Sequence, residues 1–370
     1  MKIGILKEVK AEENRVSMTP VGVEVMKQSG HTVLVEKNAG AGSGFDDEAY
    51  VKAGAEVVSA TEDIFDRCEM IMRVKEPQPS EYKLIQERHI FFNYLHLAVA
   101  EELAQALIKS NSVCIAYETI QKADGSLPLL TPMSEVAGPM AVQEGAKYLE
   151  MAQGGKGILL GGVPGVEPGT VLIIGGGVVG INAARKACGL GAKVYIVEAN
   201  LERLRYLSDV MPKNCFLVMS SPAAIRELVQ IADVVIGSVL VPGSKTPKFV
   251  TREMLKTMRT GSVMVDVAID QGGCFETSKE TTHSNPTYTV DGIVHYAVSN
   301  MAGAVPKTST LALINATLPY AVEIANKGWQ KAMRENPEIK LGANVVKGRV
   351  TYKGVAEAFG FEYAPVDSLL

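Results

Sequence analysis

One stretch, residues 170–200, constrains the fold of this chain more than any other. It opens with the apolar run TVLII, rich in β-branched residues, which predicts a buried parallel strand. Gly175, Gly177 and Gly180 follow in G-x-G-x-x-G spacing, then a helical pattern over 181–190, then a second apolar run that ends at Glu198. Strand, glycine turn, helix, strand and acid at these offsets predict a βαβ unit that binds a dinucleotide. The alternative is a βαβ unit whose glycines serve only packing.

Each glycine of this motif has a separate physical task. Gly175 permits the tight turn from strand to helix, Gly177 lets the backbone approach a pyrophosphate, and Gly180 lets helix and strand pack closely. The N-terminus of the helix offers N–H groups and a positive dipole end to the phosphates. At the tip of the second strand, Glu198 can bind both ribose hydroxyls and repel a 2′-phosphate, which favours NAD over NADP.

Length and composition exclude several classes of protein. A chain of 370 residues fits two domains, and a formal net charge of -4 gives no electrostatic reason to expect nucleic acid or an anionic membrane as partner. No apolar run reaches the roughly 18 residues that a membrane-spanning helix needs, and the first residues lack the apolar region of a signal peptide. The five cysteines are scattered and show no C-x-x-C spacing. We therefore expect a cytoplasmic protein with reduced thiols and no zinc site.

Strand and helix patterns alternate on both sides of the glycine motif, which predicts an α/β fold with parallel sheets covered on both faces. We expect two Rossmann-like domains with doubly wound, mainly parallel sheets and a cleft between them. The first is discontinuous, residues 1–130 and 306–370, because the C-terminal segment is too small for a core of its own. Residues 131–305 form the NAD-binding domain, which includes a connecting helix over 134–151 and the six strands expected of a doubly wound dinucleotide domain. Before residue 120, strands are predicted at 3–6, 32–36, 56–58, 70–74, 90–97 and 113–117, with helices at 20–28, 47–53, 81–87 and 100–109. After residue 200, strands are predicted at 215–219, 233–240, 262–268 and within 288–298, with helices at 223–230 and 253–258.

Four polar residues near predicted strand ends are candidates for chemistry. Arg15 can grip a carboxylate through two parallel hydrogen bonds, although a solvated surface arginine is the commoner role. Lys75 follows an apolar run and can polarise a carbonyl or imine, or simply extend to solvent at the sheet rim. His96 suits proton transfer near neutrality, but a histidine in an apolar strand is more often a satisfied core residue. Asp270 can orient a substrate nitrogen, water or a histidine, with Asp266 as its competitor.

Motifs in both halves resemble the bacterial L-alanine dehydrogenase family. They occur in family order over essentially the whole chain: GILKE at 4–8, NRVSMTP at 14–20, RVKEP at 73–77, YLHLA at 94–98, IAYET at 115–119, LPLLTPMSEVAG at 127–138, GGVPGVEP at 161–168, DVAIDQGGCFE at 266–276 and VPKTST at 305–310. Proton-translocating transhydrogenase subunits and saccharopine dehydrogenases are more distant relatives.

The resemblance assigns roles to the candidate residues. It implies that Arg15 and Lys75 bind the substrate carboxylate, and that His96, assisted by Asp270, is the catalytic acid/base, which leaves Asp266 a structural role. It also implies cofactor contacts beyond the three glycines, with Asn300 and Met301 along the nicotinamide: Ser134, Val178, Val179, Glu198, Arg203, Ser220, Val239, Leu240, Val267, Ala268, Ile269, Asp270, Lys279, Val298, Ser299, Asn300 and Met301. Many relatives have aspartate at the position of Glu198.

The activity that the resemblance implies is reversible, NAD-dependent oxidative deamination of L-alanine to pyruvate and ammonium. A homo-oligomer, a hexamer in this family, is expected on the same basis. Some members hold a metal with a glutamate and a C-terminal histidine. Glu118 is present here, but no histidine follows His295, so we predict no such metal. The alternatives are a transhydrogenase subunit, a saccharopine-type dehydrogenase, and a non-catalytic NAD-sensing protein, of which the last predicts a damaged site.

Overall fold

Two structural units account for residues 1–239 and 246–370, which are the residues that the computed structural model describes. The first unit joins Met1–Met133 to Val305–Leu370, and the second is Ser134–Ala304. Each unit is built on its own β-sheet.

The first unit contains an eight-stranded sheet. Its N-terminal strands are β1 (Lys2–Ile5), β2 (Thr32–Glu36), β3 (Glu56–Val58), β4 (Met70–Met72), β5 (Ile90–Asn93) and β6 (Val113–Ala116). These pair in parallel in the order β3-β2-β1-β4-β5-β6. Strand order therefore reverses at β1, as in doubly wound folds.

The second unit contains a seven-stranded sheet. Its strands are β7 (Thr170–Ile174), β8 (Lys193–Glu198), β9 (Cys215–Met219), β10 (Val234–Gly237), β11 (Val263–Asp266), β12 (Thr287–Val290) and β13 (Ile293–Tyr296). The order is β12-β13-β11-β10-β7-β8-β9, and every pairing is parallel except that of β12 with β13. The strand order reverses at β7, immediately before the glycine motif.

The last strands of the chain return to the first sheet. β14 (Ala343–Val346) and β15 (Arg349–Val350) form a hairpin, and β14 pairs antiparallel with β6. The hairpin therefore extends the N-terminal sheet at one edge.

The helices alternate with the strands along most of the chain. They are α1 (Pro20–Gln28), α2 (Asp47–Ala53), α3 (Thr61–Arg67), α4 (Glu101–Ser110), α5 (Thr131–Tyr148), α6 (Val178–Gly189), α7 (Leu201–Val210), α8 (Pro222–Ile231), α9 (Arg252–Leu255), α10 (Pro306–Lys327), α11 (Trp329–Glu335), α12 (Pro337–Leu341) and α13 (Lys353–Phe359). Short 3-10 segments occur at Ala41–Ser43, Pro79–Leu84, Leu97–Val99, Tyr117–Thr119, Met151–Gln153, Ile269–Gln271, Met301–Ala304 and Val366–Ser368.

The central strands of the first sheet are buried on both faces. In β5, Ile90 and Phe92 join the core on one side of the sheet, whereas Phe91 joins the core on the other. β4 divides in the same way, with Met70 and Met72 on the first side and Ile71 on the second. This arrangement explains why the strands read as continuous apolar runs and not as alternating patterns. The predicted α/β class, with two doubly wound and mainly parallel sheets, is confirmed.

Several predicted elements are wrong in detail. The connecting helix predicted at 134–151 is α5, which starts and ends three residues earlier. After its end the chain folds back at Gly155, where a Cβ would lie 2.2 Å from the Tyr148 carbonyl oxygen. The segment predicted as a helix at 81–87 is a 3-10 segment that begins at Pro79, and α3 was not anticipated. The run predicted as one strand within 288–298 is the β12–β13 hairpin, since Asp291 and Gly292 both take positive φ. An Asp-Gly pair between apolar runs is the sequence signal for such a turn.

Candidate functional site

The glycine motif forms the turn between β7 and α6. Gly175 has φ of 102°, a conformation that favours glycine. A Cβ on Gly180 would lie 1.9 Å from the Gly175 carbonyl oxygen, whereas a Cβ on Gly177 would meet nothing within 4 Å. Gly177 is the N-cap of α6 and makes no side-chain cap hydrogen bond. The turn therefore presents open backbone at the N-terminus of a helix, which suits a pyrophosphate.

Glu198 is the last residue of β8 and points toward this turn. Its Oε2 accepts a hydrogen bond from the Gly176 amide at 2.7 Å, and its Oε1 accepts one from the Asn200 amide at 2.9 Å. Arg203 donates from Nε to the Gly176 carbonyl at 2.6 Å and lies over the Tyr206 ring. The carboxylate is thus held by the backbone beside the glycine turn, where it can meet ribose hydroxyls.

Most other predicted cofactor contacts follow the carboxyl ends of parallel strands in the second unit. Ser220 follows β9, Val239 follows β10, Val267, Ala268, Ile269 and Asp270 follow β11, and Val298, Ser299, Asn300 and Met301 follow β13. Val178 and Val179 start α6 and Ser134 lies in the first turn of α5. Lys279 is exposed, and its backbone amide donates to the Tyr288 hydroxyl at 2.7 Å. Leu240 lies outside the described residues.

Asp266 and Asp270 differ sharply in their surroundings. The Asp266 carboxylate is buried and accepts hydrogen bonds from the Ala268 amide at 3.1 Å, the Cys274 amide at 2.7 Å and the Ser278 hydroxyl. Burial raises the pKa of Asp266 despite these donors. Asp270 is exposed, in the 3-10 segment that follows β11. Asp266 therefore stabilises the loop that follows β11 through these hydrogen bonds, whereas Asp270 lies on the outer surface of that loop.

In the first unit, Arg15 is buried rather than solvated, with 2% of its surface exposed. The Glu13 carboxylate accepts hydrogen bonds from Arg15 Nε at 2.7 Å and Nη2 at 2.6 Å, and Nη1 lies 3.0 Å from the Met133 sulfur. Burial acts against the charge, but Glu13 outweighs it and the pKa of Arg15 is raised. Glu13 therefore binds the Nε–Nη2 edge of the guanidinium within the protein.

Lys75 lies three residues beyond β4, not directly at its end, and is half-buried. Glu8 Oε1 accepts hydrogen bonds from the Val74 amide at 2.5 Å and the Lys75 amide at 3.3 Å. Arg73 is fully buried between Glu8 at 3.2 Å and Glu81 at 2.5 Å. Burial raises the pKa of Glu8, with Arg73 opposing the shift. The backbone that carries Lys75 is thus fixed by a buried ion network.

His96 lies three residues beyond β5 and is exposed, so it is not the satisfied core histidine of the alternative interpretation. Its backbone has φ of 48°, in the left-handed region. The Tyr94 ring stacks on the imidazole with centroids 5.8 Å apart. Burial raises the pKa of Tyr94, and the Arg15 charge acts in the opposite direction. Asn93 donates to the Lys75 carbonyl at 3.0 Å and links the two loops.

The structure thus places Lys75 and His96 in two loops beyond the carboxyl ends of the neighbouring strands β4 and β5, and Asn93 links these loops. Arg15 lies in the segment between β1 and α1. Sequence reasoning missed the side chains that hold them, chiefly Glu8, Glu13, Tyr94 and Asn93. Glu8 and Tyr94 fall within the GILKE and YLHLA motifs. The available signal for these side chains was the presence of glutamates in polar segments beside strand ends. No neighbouring residue in the sequence indicated which groups they bind.

Two further properties concern the described parts of the chain. Within residues 1–239 and 246–370, no cluster of three histidine, cysteine, aspartate or glutamate side chains is arranged to hold a metal ion. Over the same residues, no helix combines the length and apolar character that crossing a membrane requires.

Comparisons with known proteins agree with this architecture. Residues 4–137 match the family described as Alanine dehydrogenase/PNT, N-terminal domain, and residues 141–353 match Alanine dehydrogenase/PNT, C-terminal domain. The chain is 54% identical to an alanine dehydrogenase of Methanococcus maripaludis, covering 100% of both chains. It is 56% identical to one of Staphylococcus haemolyticus, covering 100% of this chain and 99% of that one.

Solved structures give the same result. An L-alanine dehydrogenase matches with a TM-score of 0.95 and 50% identity, covering 97% of this chain and 99% of that one. A transhydrogenase from Sinorhizobium meliloti shares the fold, with a TM-score of 0.82 at 23% identity. This chain belongs to the alanine dehydrogenase/PNT family, a family of pyridine-nucleotide-dependent enzymes, and the predicted resemblance is confirmed.

Proposed function

We propose that this protein is an L-alanine dehydrogenase that uses NAD. L-Alanine, NAD⁺ and water give pyruvate, ammonium, NADH and a proton, and the reaction is reversible. The observation that carries the proposal is the full-length identity of 54% and 56% to two alanine dehydrogenases, with both sheets of the family fold present. These relatives confirm the predicted class of activity.

The residues around the glycine turn fit a dinucleotide. Gly177 leaves open space where a side chain would otherwise stand, and the first amides of α6, which have no acceptor within the helix, can donate to the pyrophosphate. Glu198 favours NAD over NADP because its carboxylate accepts hydroxyl hydrogen bonds and repels a 2′-phosphate. The other predicted contacts, which include Asn300 and Met301 for the nicotinamide, follow strand ends of the same sheet.

The substrate carboxylate is assigned to Arg15 and Lys75. Glu13 holds the Nε–Nη2 edge of the guanidinium in one orientation. Lys75 supplies a second positive charge from a loop that Glu8 fixes. Preorganised cations of this kind bind and orient an anionic substrate without rearranging.

The proton transfers are assigned to His96 and Asp270. When bound, the nicotinamide accepts the α-hydrogen of alanine as a hydride, which converts the amine to an imine. His96 then takes a proton from water as it attacks the imine carbon, and returns it when ammonia leaves. Asp270 assists the histidine in this proposal, on the basis of the family resemblance.

Location and assembly are part of the same proposal. The five cysteines are free thiols in the structure, which suits the reducing cytoplasm. A homo-oligomer, a hexamer as in the resembling family, is proposed for the working enzyme, with small molecules as its other partners.

The test is NADH formation from L-alanine, compared with L-serine and other amino acids, and with NADP in place of NAD. Turnover with alanine and NAD supports the proposal, and its absence would overturn it. His96→Ala should abolish turnover while leaving NADH binding, measured by fluorescence titration, near that of the unsubstituted protein. Near-normal turnover in His96→Ala would remove the acid/base role of that residue.

A further inference from the structure

Glu118 binds the backbone of the loop that carries His96. It lies in the 3-10 segment Tyr117–Thr119 directly after β6. Its Oε1 accepts a hydrogen bond from the His96 amide at 2.6 Å, and both carboxylate oxygens accept from the Leu95 amide, at 3.2 Å and 3.3 Å. β5 and β6 are parallel neighbours in which Asn93 pairs with Ala116. The residues just beyond these two strands therefore lie side by side.

The backbone at His96 needs such support. Its φ of 48° and ψ of 37° place a non-glycine residue in the left-handed region, where the turn into Leu97–Val99 begins. Conformations of this kind persist where the surroundings hold them, and they cluster at functional sites. The amides of Leu95 and His96 have left the sheet, because β5 ends at Asn93. A carboxylate that accepts both amides replaces the missing ladder bonds.

We propose that Glu118 is a positioning residue for His96. The inference rests on the proposed function, because it assigns Glu118 the task of presenting the acid/base imidazole. Glu118 fixes the main chain of the residue, and the Tyr94 ring stacked on the imidazole limits the side chain. The Tyr94 hydroxyl is itself anchored, since it donates to the Leu129 carbonyl at 2.5 Å. The Glu118 carboxylate thus holds the His96 backbone, and the anchored Tyr94 ring holds the His96 imidazole.

The experiment compares Glu118→Ala and Glu118→Gln with a matched control. Glutamine keeps an oxygen that can accept from the His96 amide, whereas alanine removes it. Glu69→Ala is the control, because Glu69 also accepts a backbone amide hydrogen bond, from Lys2 at 2.8 Å, at the opposite end of the parallel strands β1 and β4. For each variant kcat, KM for alanine and pyruvate, Kd for NADH and the thermal midpoint are measured. The five histidines, labelled with ¹³C at Cε1, are followed by NMR, with His96→Asn assigning the His96 signal.

The proposal expects Glu118→Ala to lower kcat about 10- to 100-fold, the scale of a misplaced catalytic group. NADH affinity should stay unchanged, and the His96 signal alone should shift or broaden. Glu118→Gln should restore most of the kcat, and Glu69→Ala should keep the activity of the unsubstituted enzyme. An unchanged kcat and an unchanged His96 signal in Glu118→Ala would overturn the proposal, as would an equal loss of kcat in Glu69→Ala.

Failure of the proposed function gives a different result. If the unsubstituted protein does not turn over alanine, the activity is wrong. The NMR comparison still decides whether Glu118 holds the His96 loop, because it requires no substrate. If Glu118→Ala does not fold, the same decision is made with Glu118→Gln, whose amide nitrogen cannot accept the second bond to Leu95 and should therefore shift the His96 signal by a smaller amount.

Discussion

Replacing Gly180 with alanine should destabilise the second unit, whereas the same change at Gly177 should weaken cofactor binding. A Cβ on Gly180 would lie 1.9 Å from the Gly175 carbonyl oxygen, while real Cβ atoms stay at least 3.0 Å away. The difference, 3.0 minus 1.9, requires a backbone displacement of 1.1 Å or more between α6 and the end of β7. Overpacking that forces a backbone shift costs about 1–3 kcal/mol, and this clash with main chain falls at the upper end.

The magnitude converts into a measurable thermal shift. The second unit spans Ser134–Ala304, which is 171 residues, and for domains of this size 1 kcal/mol moves the midpoint by about 2–4 °C. A cost of about 3 kcal/mol should therefore lower the unfolding midpoint of Gly180→Ala by roughly 6–12 °C. Differential scanning calorimetry measures the midpoint.

Gly177 and Gly189 provide the controls. At Gly177 a Cβ meets nothing within 4 Å, so alanine should cost less than about 1 kcal/mol of stability, the scale of an N-cap change. Because that methyl occupies the approach of the pyrophosphate, NADH affinity should fall about tenfold or more, which is about 1.4 kcal/mol. Gly189 also has open space and lies in the last turn of α6, so Gly189→Ala should leave both properties intact or raise the midpoint slightly. Equal midpoints for Gly180→Ala and Gly177→Ala, or unchanged NADH affinity in Gly177→Ala, would refute the reasoning.

Three further perturbations test other contacts. Glu13→Gln removes the carboxylate charge that binds two nitrogens of the buried Arg15. Urea unfolding should show a loss of about 3–5 kcal/mol and KM for pyruvate should rise, and a change in neither contradicts the role of the pair. Glu198→Gln removes the charge beside the ribose position, so the ratio of NADPH to NADH dissociation constants should fall about tenfold, and an unchanged ratio contradicts the selectivity argument. Burial lowers the pKa of His89 from 6.5 to about 4, so the unfolded chain binds the proton more tightly than the folded protein does. The protein therefore loses stability as the pH falls from 6.5 toward 4. The contribution of this residue is about 1.4 kcal/mol per pH unit. Urea unfolding between pH 7 and pH 5 should give a flatter dependence in His89→Asn, and parallel curves for the two proteins would contradict this.

The sequence by itself determined the local elements and the nucleotide turn. β2, β3 and β9 coincide with predicted apolar runs, and α1 and α2 with predicted helices, because apolar, β-branched runs and helix caps leave direct marks in a short window. The G-x-G-x-x-G spacing specified the conformation of Gly175 and the close contact of Gly180, because only glycine satisfies either. The motifs follow one another in the same order as in the alanine dehydrogenase family. That order identified the four candidate catalytic and substrate-binding residues, Arg15, Lys75, His96 and Asp270.

The tertiary structure decided what surrounds those residues. The partners lie far apart in the chain: Glu8 binds an amide 66 residues away, Glu118 one 22 residues away, and β14 pairs with β6 across more than 200 positions. Such contacts depend on strand order and on the parallel direction of neighbouring strands, which bring distant strand ends to one edge of a sheet. Periodicity within a window carries no information about that order. For this reason sequence alone left open a solvated surface role for Arg15, which the structure excludes by burying it against Glu13.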